Sequence, residues 1–193
     1  MDILKVIQKE LDVKLSQVEA AVQLIDEGNT IPFIARYRKE ATGSLNDEQL
    51  RQLDERLAYL RNLEEKKAQV LATIEEQGKL SDELRKEIEE AMTQVAVEDL
   101  YRPYRPKRRT RATVAKEKGL EPLANLILLQ MADKELSQYA KEYISEEKEV
   151  MDEAEALAGA LDIIAENISD EADYRTYIRK LTMEEGVLVS EAK

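Results

Sequence analysis

The sequence predicts an all-α protein, a multihelical scaffold with one long central helix, and three observations support that prediction. Apolar residues recur at helical spacing along almost the whole chain. Only 6 glycines and 4 prolines interrupt its 193 residues. No segment rich in valine, isoleucine and threonine alternates with the period of two that is typical of a half-buried strand. We therefore expect helices joined by short turns, in one domain or in two small ones.

Three short helices are expected in residues 1–44. Ser16 is the predicted N-cap of the second helix, and Gly28 occupies the place of the left-handed residue that follows a helix. Pro32 fits the first turn of the third helix, where its missing N–H is not needed. This arrangement is compatible with a helix-turn-helix-like part that reads DNA, but short three-helix units are common.

Residues 45–99 are expected to hold the long helix and one helix after it. Asn46 and Gln49 have the spacing of a capping box, and neither glycine nor proline occurs in the run to Gln77. Lys67 interrupts the apolar seam, so we expect a long helix packed within a helical domain rather than a dimeric coiled coil. The next boundaries are expected at Gly78, which ends the long helix, at Ser81, which caps the following helix, and near Val95, where that helix ends.

Residues 100–112 are expected to follow an extended, loop-like path, because Pro103 and Pro106 each disfavour helix in the residue before them. Residues 113–193 are expected to be helical again and to contain an acidic segment. The expected features of this last region are a helix from near Thr113 to Gly119, a helix from Pro122 to about Met131, helices near 133–144, 152–167 and 170–184, and Ser169 as the cap of the last one.

The composition excludes several kinds of chemistry and limits the location. The chain has no cysteine, histidine or tryptophan, which excludes disulfides, a thiolate nucleophile, a zinc ribbon and an imidazole base. Its longest uncharged stretch is far short of the roughly 20 apolar residues of a membrane span, and its charged amphipathic start is unlike a secretory signal. We therefore expect a soluble, cytoplasmic protein with no membrane contact.

Charge is distributed very unevenly along the chain. The net charge is −12, but residues 102–118 hold eight basic residues and one acid, a net charge of +7. Residues 142–173 hold twelve acids and one base, a net charge of −11. The total argues against a uniformly basic protein that coats DNA, but a local basic patch can still bind phosphates.

Two hypotheses explain the basic segment. In the first, its cations neutralise a nucleic-acid backbone while its tyrosines stack on bases, as in single-stranded binding. In the second, the segment lies against the acidic helices or against another part of a longer chain. The candidate nucleic-acid-binding residues in and beside this segment are Tyr101, Tyr104, Arg105, Lys107, Arg108, Arg109 and Arg111.

A smaller basic cluster ends the third helix. It contains Arg36, Arg38 and Lys39, with Tyr37 among them. These three cations are further candidates for nucleic-acid contact. The alternative is that they complement the dipole at the carboxyl end of the helix.

No catalytic constellation is present, so we expect no enzymatic activity and no cofactor. Glycine-rich phosphate-binding motifs are absent. Adjacent acids such as Glu75 and Glu76 have no histidine, cysteine or glycine-rich partner and are typical of solvated helix faces. The acids of residues 152–155 could hold Mg²⁺ loosely, but their spacing does not match an EF-hand loop.

Several long motifs resemble those of the bacterial Tex family, the transcription accessory proteins. The resemblance is ungapped and extends over essentially all 193 residues. It is carried by IPFIARYRKEATG at 31–43, LAYLR at 57–61, LYRPYRPKRRTRA at 100–112, KGLEPLA at 118–124 and EALAGALDIIAE at 155–166.

The resemblance implies that the chain is the N-terminal helical region of a longer protein. Tex proteins continue into a resolvase-like domain, helix-hairpin-helix units and an OB-fold domain that provides most of the nucleic-acid binding. The expected partners are therefore RNA or DNA, bound weakly by this region alone, the downstream domains of the same chain, and the transcription machinery. The short apolar tail at 186–190 fits an element that needs a partner beyond Lys193, although a natural chain could also end there.

Overall fold

Helices provide almost all the regular structure in the residues that the structure describes, 1–106, 108–130 and 134–191 of a computed structural model. This part of the chain contains eleven α-helices, two short 3-10 helices and no strand. The predicted all-α fold is confirmed. No helix among these residues is both long and apolar enough to cross a membrane. The chain divides into two compact units, Met1–Val97 and Glu98–Lys193.

The first unit is built around α4 (Asp47–Glu76), the long helix that the sequence predicts. It packs against α1 (Ile3–Leu11), α2 (Leu15–Asp26), α3 (Ile31–Tyr37) and α5 (Asp82–Glu90). Burial of the leucine-rich side of α4 therefore holds the unit together. The buried residues of α4 are Leu50, Leu53, Leu57, Leu60, Leu63, Lys67, Val70 and Ile74.

Local signals at the ends of these helices act as predicted. Asn46 Oδ1 accepts a hydrogen bond from the Gln49 backbone N–H at 2.8 Å, and Gln49 Oε1 accepts one from the Asn46 N–H at 3.0 Å. This reciprocal pair is the capping box. Ser81 Oγ accepts from the Leu84 N–H at 3.2 Å. Gly78 follows α4 with a φ of +67°, in the left-handed region.

Lys67 is buried in the first unit, although the sequence marked it as an interruption of the seam. Only 3% of this residue is exposed. Its Nζ donates to the carbonyl oxygen of Glu89, in the last turn of α5, at 2.8 Å, and lies 2.9 Å from Glu64 Oε1. The charge therefore satisfies an end of α5, where carbonyls lack partners within the helix.

Two expectations for the first unit are wrong. Ser16 does not cap α2, because the helix already begins at Leu15 and the Gln17 side chain accepts from the Lys14 N–H at 2.9 Å. The helix after Ser81 does not run to Val95. It ends at Glu90, and α6 (Gln94–Tyr101) begins after a break. Thr93 Oγ1 accepts from the Ala96 N–H at 3.2 Å, and Tyr59 Oη accepts from the Gln94 N–H at 3.1 Å.

The second unit is built around α10 (Glu153–Asp170). It packs against α7 (Arg111–Glu117), α8 (Glu121–Leu128), α9 (Leu136–Ala140) and α11 (Ala172–Glu185). Small residues allow this close approach, since a Cβ added at Gly159 would overlap the Leu120 side chain. The buried core of this unit contains Ala112, Ala115, Leu120, Leu123, Ala124, Ala140, Val150, Ala156, Ala160 and Ile163.

The extended path expected for residues 100–112 is only partly correct. Helix α6 runs to Tyr101, and a 3-10 helix, Arg102–Tyr104, follows it. Pro103 lies in the first turn of that helix, where its missing N–H costs nothing. Helix α7 then begins at Arg111 rather than near Thr113, because Thr110 Oγ1 accepts from the Thr113 N–H at 3.0 Å.

Other boundaries in the second unit also differ from expectation. Ser169 lies within α10 and does not cap α11, which follows Glu171. The helix expected near 133–144 is shorter, with α9 followed by the 3-10 helix Lys141–Tyr143. Helix α8 ends at Leu128, and the expected end near Met131 lies outside the described residues. Gly119, with a φ of +80°, and Pro122, in the first turn of α8, have their predicted roles.

Candidate nucleic-acid interface

The basic segment, defined here as residues 102–111, is attached to one face of α10. Arg102 Nε donates to Asp170 Oδ1 at 2.9 Å. Arg111 forms an ion pair of 3.2 Å with Asp162. The two ends of the basic segment are therefore each joined to an acid of the same helix.

Further contacts of this helix follow the same face. Thr110 Oγ1 donates to Glu166 Oε1 at 2.9 Å. Just after the basic segment, Lys118 Nζ donates to Glu155 Oε1 at 2.7 Å. The four acids lie at positions 155, 162, 166 and 170, and spacings of four and seven place side chains on one side of a helix. This side of α10 is called the acidic face below.

The arginines of the basic segment nevertheless remain largely accessible to solvent. The side chains of Arg109 and Arg111 are 70% and 88% exposed, although Arg109 pairs with Glu117 at 2.9 Å. Arg105 lies 3.9 Å from Glu98. Arg108 is exposed and makes no ion pair with any residue that the structure describes. Lys107 lies outside the described residues.

The two tyrosines in and beside the basic segment are less exposed than the sequence suggested. Tyr101 ends α6, and Tyr104 ends the following 3-10 helix. Both residues are half-buried. They are therefore not interleaved with the arginines on an extended strand, and each offers only part of its ring for stacking.

A groove separates the basic segment from α10. Arg102, Arg105 and Arg108 line it together with Asp162 and Glu166. A phosphate entering this groove would compete with the carboxylates for the arginines that are already paired, because both anions are attracted to the same guanidinium group. Arg108 would require no such exchange.

The smaller cluster at the end of α3 has a different electrostatic setting. Arg36, Arg38 and Lys39 are all exposed, and none of them forms an ion pair with a described residue. Tyr37 lies among them with 63% of its surface exposed. Phe33, which the sequence reasoning did not single out, packs against Tyr37 with ring centroids 5.3 Å apart. Its position four residues before Tyr37 was the available signal.

A buried acid forms a second ionic cluster in the second unit. Asp99, only 4% exposed, accepts from Arg175 Nε and Arg179 of α11, each at 2.7 Å. Burial raises the pKa of Asp99, but the two arginine hydrogen bonds outweigh it and hold the pKa below its usual value. This cluster joins α11 to α6, and no local sequence pattern reveals it because the partners are 76 and 80 residues apart.

The acids near the start of α10 have structural contacts. Asp152 Oδ1 caps the helix by accepting from the Glu155 N–H at 2.8 Å. Glu155 in turn binds Lys118, and hydrogen bonds from Lys118 and from the Met151 backbone lower the pKa of Glu155. Within the described part of the chain, no group of three or more acids is arranged to hold a metal ion.

Comparison with known proteins places this helical architecture in a family. Residues 1–75 match the Tex-like protein N-terminal domain, and residues 132–193 match the Tex central region. An uncharacterised Bacillus subtilis protein, YdcI, is 50% identical over 186 residues, covering 96% of this chain and 26% of that protein. The Neisseria gonorrhoeae transcriptional accessory protein Tex is 51% identical over 173 residues, covering 90% of this chain and 22% of that protein.

A more distant relative is human. The S1 RNA-binding domain-containing protein 1 of Homo sapiens is 27% identical over 189 residues, covering 97% of this chain and 19% of that protein. The molecule is thus an all-α chain with sequence matches to both the N-terminal domain and the central region. The chain belongs to the Tex family. It spans about a quarter of the length of the bacterial relatives that it matches.

Proposed function

We propose that the chain is the N-terminal helical scaffold of a cytoplasmic transcription accessory protein. We further propose that its basic segment makes auxiliary, sequence-nonspecific contacts with single-stranded nucleic acid. Membership of the Tex family and the printed name of the Neisseria relative support the first part. The RNA-binding domain in the name of the human relative supports nucleic acid as the class of ligand.

One observation carries the second part. Arg108 is exposed and unpaired among the described residues, and it is adjacent to Arg109, whose side chain is 70% exposed. An exposed ion pair is worth only about 0–1 kcal/mol. Exchange of Glu117 for a phosphate at Arg109 is therefore inexpensive, and counterion release from the nucleic acid favours it.

The second candidate function is a purely structural one. The ion pairs from Arg102 to Asp170 and from Arg111 to Asp162 favour it, because they show the segment bound to the acidic face. In that case the cations serve to hold the basic segment in place, or to dock the downstream domains of the longer protein.

The experiment is fluorescence anisotropy of a labelled 12-nucleotide oligouridylate with the 193-residue chain at low salt. The variant Arg108→Glu/Arg109→Glu is expected to weaken binding and to flatten the salt dependence. The matched control is Lys9→Glu/Lys79→Glu, which makes the same change in charge at exposed lysines without ion pairs among the described residues.

Equal RNA affinity of the parent and the Arg108→Glu/Arg109→Glu variant would show that the basic segment does not bind nucleic acid. If Arg102→Ala/Arg111→Ala, which breaks the two pairs with the acidic face, lowered the melting temperature without changing RNA binding, the structural candidate would be favoured.

The scaffold is also proposed to have no catalytic activity and no cofactor. Without cysteine and histidine it has no thiol nucleophile and no imidazole base. Asp99, an acid that is buried among the described residues, is held by two arginines. A nuclease assay with added Mg²⁺ tests this proposal. Nuclease activity that remains after further purification and is lost when one acid of the chain is substituted would contradict it.

A further inference from the structure

A second charged surface lies on the first unit, and the basic segment is not part of it. We call residues 33–39 the α3 patch. Arg36, Tyr37, Arg38 and Lys39 follow one another along the chain, and all four are exposed. In a protein with a net charge of −12, three cations in four consecutive residues form a strong local departure from the average.

The cations of the α3 patch form no ion pair with any residue that the structure describes. Among the residues that the structure describes, Arg36, Arg38 and Arg108 are the arginines that form no ion pair. The other described arginines pair with acids, as Arg56 does with Glu10 at 2.6 Å. A negatively charged ligand at the α3 patch would therefore gain Coulomb attraction without breaking an existing ion pair.

The backbone that carries the patch is fixed by buried groups. Thr42 is fully buried, and its Oγ1 donates to the carbonyl oxygen of Lys39 at 3.2 Å. The Ser44 N–H donates to the same carbonyl at 2.8 Å. Gln17 Nε2 donates to the Gly43 carbonyl at 2.8 Å and ties the loop to α2. A pre-formed loop loses little conformational entropy when it binds a ligand.

The aromatic residues of the patch form a supported platform. Phe33 and Tyr37 lie with ring centroids 5.3 Å apart, and the Arg38 guanidinium carbon is 5.7 Å from the centroid of Phe33. Phe33 thus supports Tyr37 from within the patch, while Tyr37 keeps 63% of its surface exposed. An exposed ring beside unpaired cations is the combination that stacks a base while binding its phosphates.

We infer that the α3 patch binds single-stranded nucleic acid, with phosphates on Arg36, Arg38 and Lys39 and a base stacked on Tyr37. This inference shares the class of ligand with the proposed function but concerns a different surface in a different unit. An acidic protein segment is the competing occupant, because it would satisfy the cations. It would leave the exposed ring of Tyr37 without a role.

The test measures anisotropy of the labelled 12-nucleotide oligouridylate with the 193-residue chain across a salt series. Arg36→Ala/Arg38→Ala is expected to lower the affinity about tenfold or more at low salt. It should reduce the slope of log affinity against log salt by about 1.4, at roughly 0.7 for each lost phosphate contact with a single strand. Tyr37→Leu should weaken binding at least about fivefold and leave the slope unchanged, because it removes stacking but no charge.

The control for charge is Lys9→Ala/Lys79→Ala, which removes two exposed lysines of the same unit that have no ion pair among the described residues. Equal affinity of the Arg36→Ala/Arg38→Ala variant and this control would overturn the inference. So would an affinity that is unchanged in Tyr37→Leu, or displacement of the RNA by poly-glutamate at equal charge concentration.

The same titrations separate this inference from the proposed function. If Arg108→Glu/Arg109→Glu weakens binding and the α3 patch variants do not, the proposed function stands and the inference fails. If only the α3 patch variants weaken binding, the inference stands and the basic segment loses its role. If the parent chain does not bind the RNA, both are wrong.

Discussion

Arg102 and Asp170 are 68 residues apart in the sequence and 2.9 Å apart in space, where the Arg102 Nε–H bonds to the Asp170 carboxylate. With the pair of Arg111 and Asp162, this contact attaches both ends of the basic segment to the acidic face of α10. The same arginines thus have an internal partner and, in the proposed function, an external one. The two roles predict different results when the internal partner is removed.

Neutralising the acidic face is the direct way to release the arginines. Asp162→Asn/Asp170→Asn is expected to lower the free energy of unfolding by about 1–2 kcal/mol, because one of the two pairs is exposed and Asp170 is nearly buried. It should raise the affinity for oligouridylate, since Arg102 and Arg111 lose their carboxylate partners at positions 170 and 162.

The control for that variant is Glu146→Gln/Glu147→Gln, which makes the same charge change at exposed acids of the same unit. Urea denaturation and anisotropy measure the two effects. A rise in RNA affinity that is equal in the variant and the control would show a general charge effect and would count against release of particular arginines.

The Asp99 cluster is expected to control the attachment of α11. None of the residues of α11 is buried, so its two arginines on Asp99 provide a large share of its anchoring. The pKa of Asp99 lies below its usual value in the folded chain, so the contribution is present at neutral pH and is lost as the pH falls through the folded pKa, below about 4.

Hydrogen-exchange protection of residues 172–185 measures this attachment. The protection factors should be constant from neutral pH to about 5 and should fall below about pH 4. Asp99→Asn should already lower them at neutral pH and should abolish most of the pH dependence. Protection of α11 that is identical in the parent and Asp99→Asn would show that other contacts hold the helix.

Lys67 is expected to stabilise the first unit through its amino group as well as its stem. Lys67→Met keeps the buried apolar stem and removes the donor to the Glu89 carbonyl, so the free energy of unfolding should fall by about 1–3 kcal/mol. Lys67→Ala should cost more, because it also leaves a cavity. Lys79→Ala, at an exposed lysine, is the control and should change stability by less than about 0.5 kcal/mol. A Lys67→Met variant as stable as the parent would contradict this role for the amino group.

Gly43 lies in the loop that follows the α3 patch, and Gly78, after α4, is a matched control for it. Both have a left-handed φ, +59° at Gly43 and +67° at Gly78. A Cβ at Gly78 would meet no atom within 4 Å, whereas one at Gly43 would lie 2.9 Å from Gln17 Cγ. Each substitution by alanine should cost about 1–2 kcal/mol for the backbone conformation. Gly43→Ala should cost more, because it also displaces the Gln17 side chain, and urea denaturation of both variants would compare them. Equal losses in the free energy of unfolding would show that the Gln17 side chain moves aside without destabilising the protein.

Signals that act over a few residues were predictable from the sequence. The capping box of Asn46 and Gln49, the Ser81 cap and the left-handed Gly78 all bond or turn within four residues, so their partners are visible in the sequence. The long helix followed from the spacing of its leucines. The acidic face was also encoded locally, in acids spaced by seven and four along α10, although the residues that bind it were not.

Features that depend on distant residues could not be predicted. The break between α5 and α6 is fixed partly by Tyr59, which lies 35 residues before Gln94. Lys67 interrupts the apolar pattern in the sequence, and only the folded structure shows that its amino group binds the Glu89 carbonyl. Arg102 and Arg111 of the basic segment pair with acids of α10 that lie far away in the sequence, whereas the arginines of the α3 patch form no ion pair with a described residue. The number of charges in the sequence therefore favoured the basic segment as the binding site. The ion pairs in the structure show instead that Arg36, Arg38 and Arg108 are the described arginines without an acidic partner.

The scaffold is proposed to contact single-stranded nucleic acid through exposed cations and a nearby aromatic ring. Ultraviolet cross-linking of the 193-residue chain to oligouridylate, followed by mass spectrometry of the peptides, tests this proposal most directly. Cross-links are expected within residues 33–39, centred on Tyr37, and within the basic segment or at the adjoining Tyr101. Cross-links that fall only on other surfaces, or none at RNA concentrations that saturate binding, would contradict it.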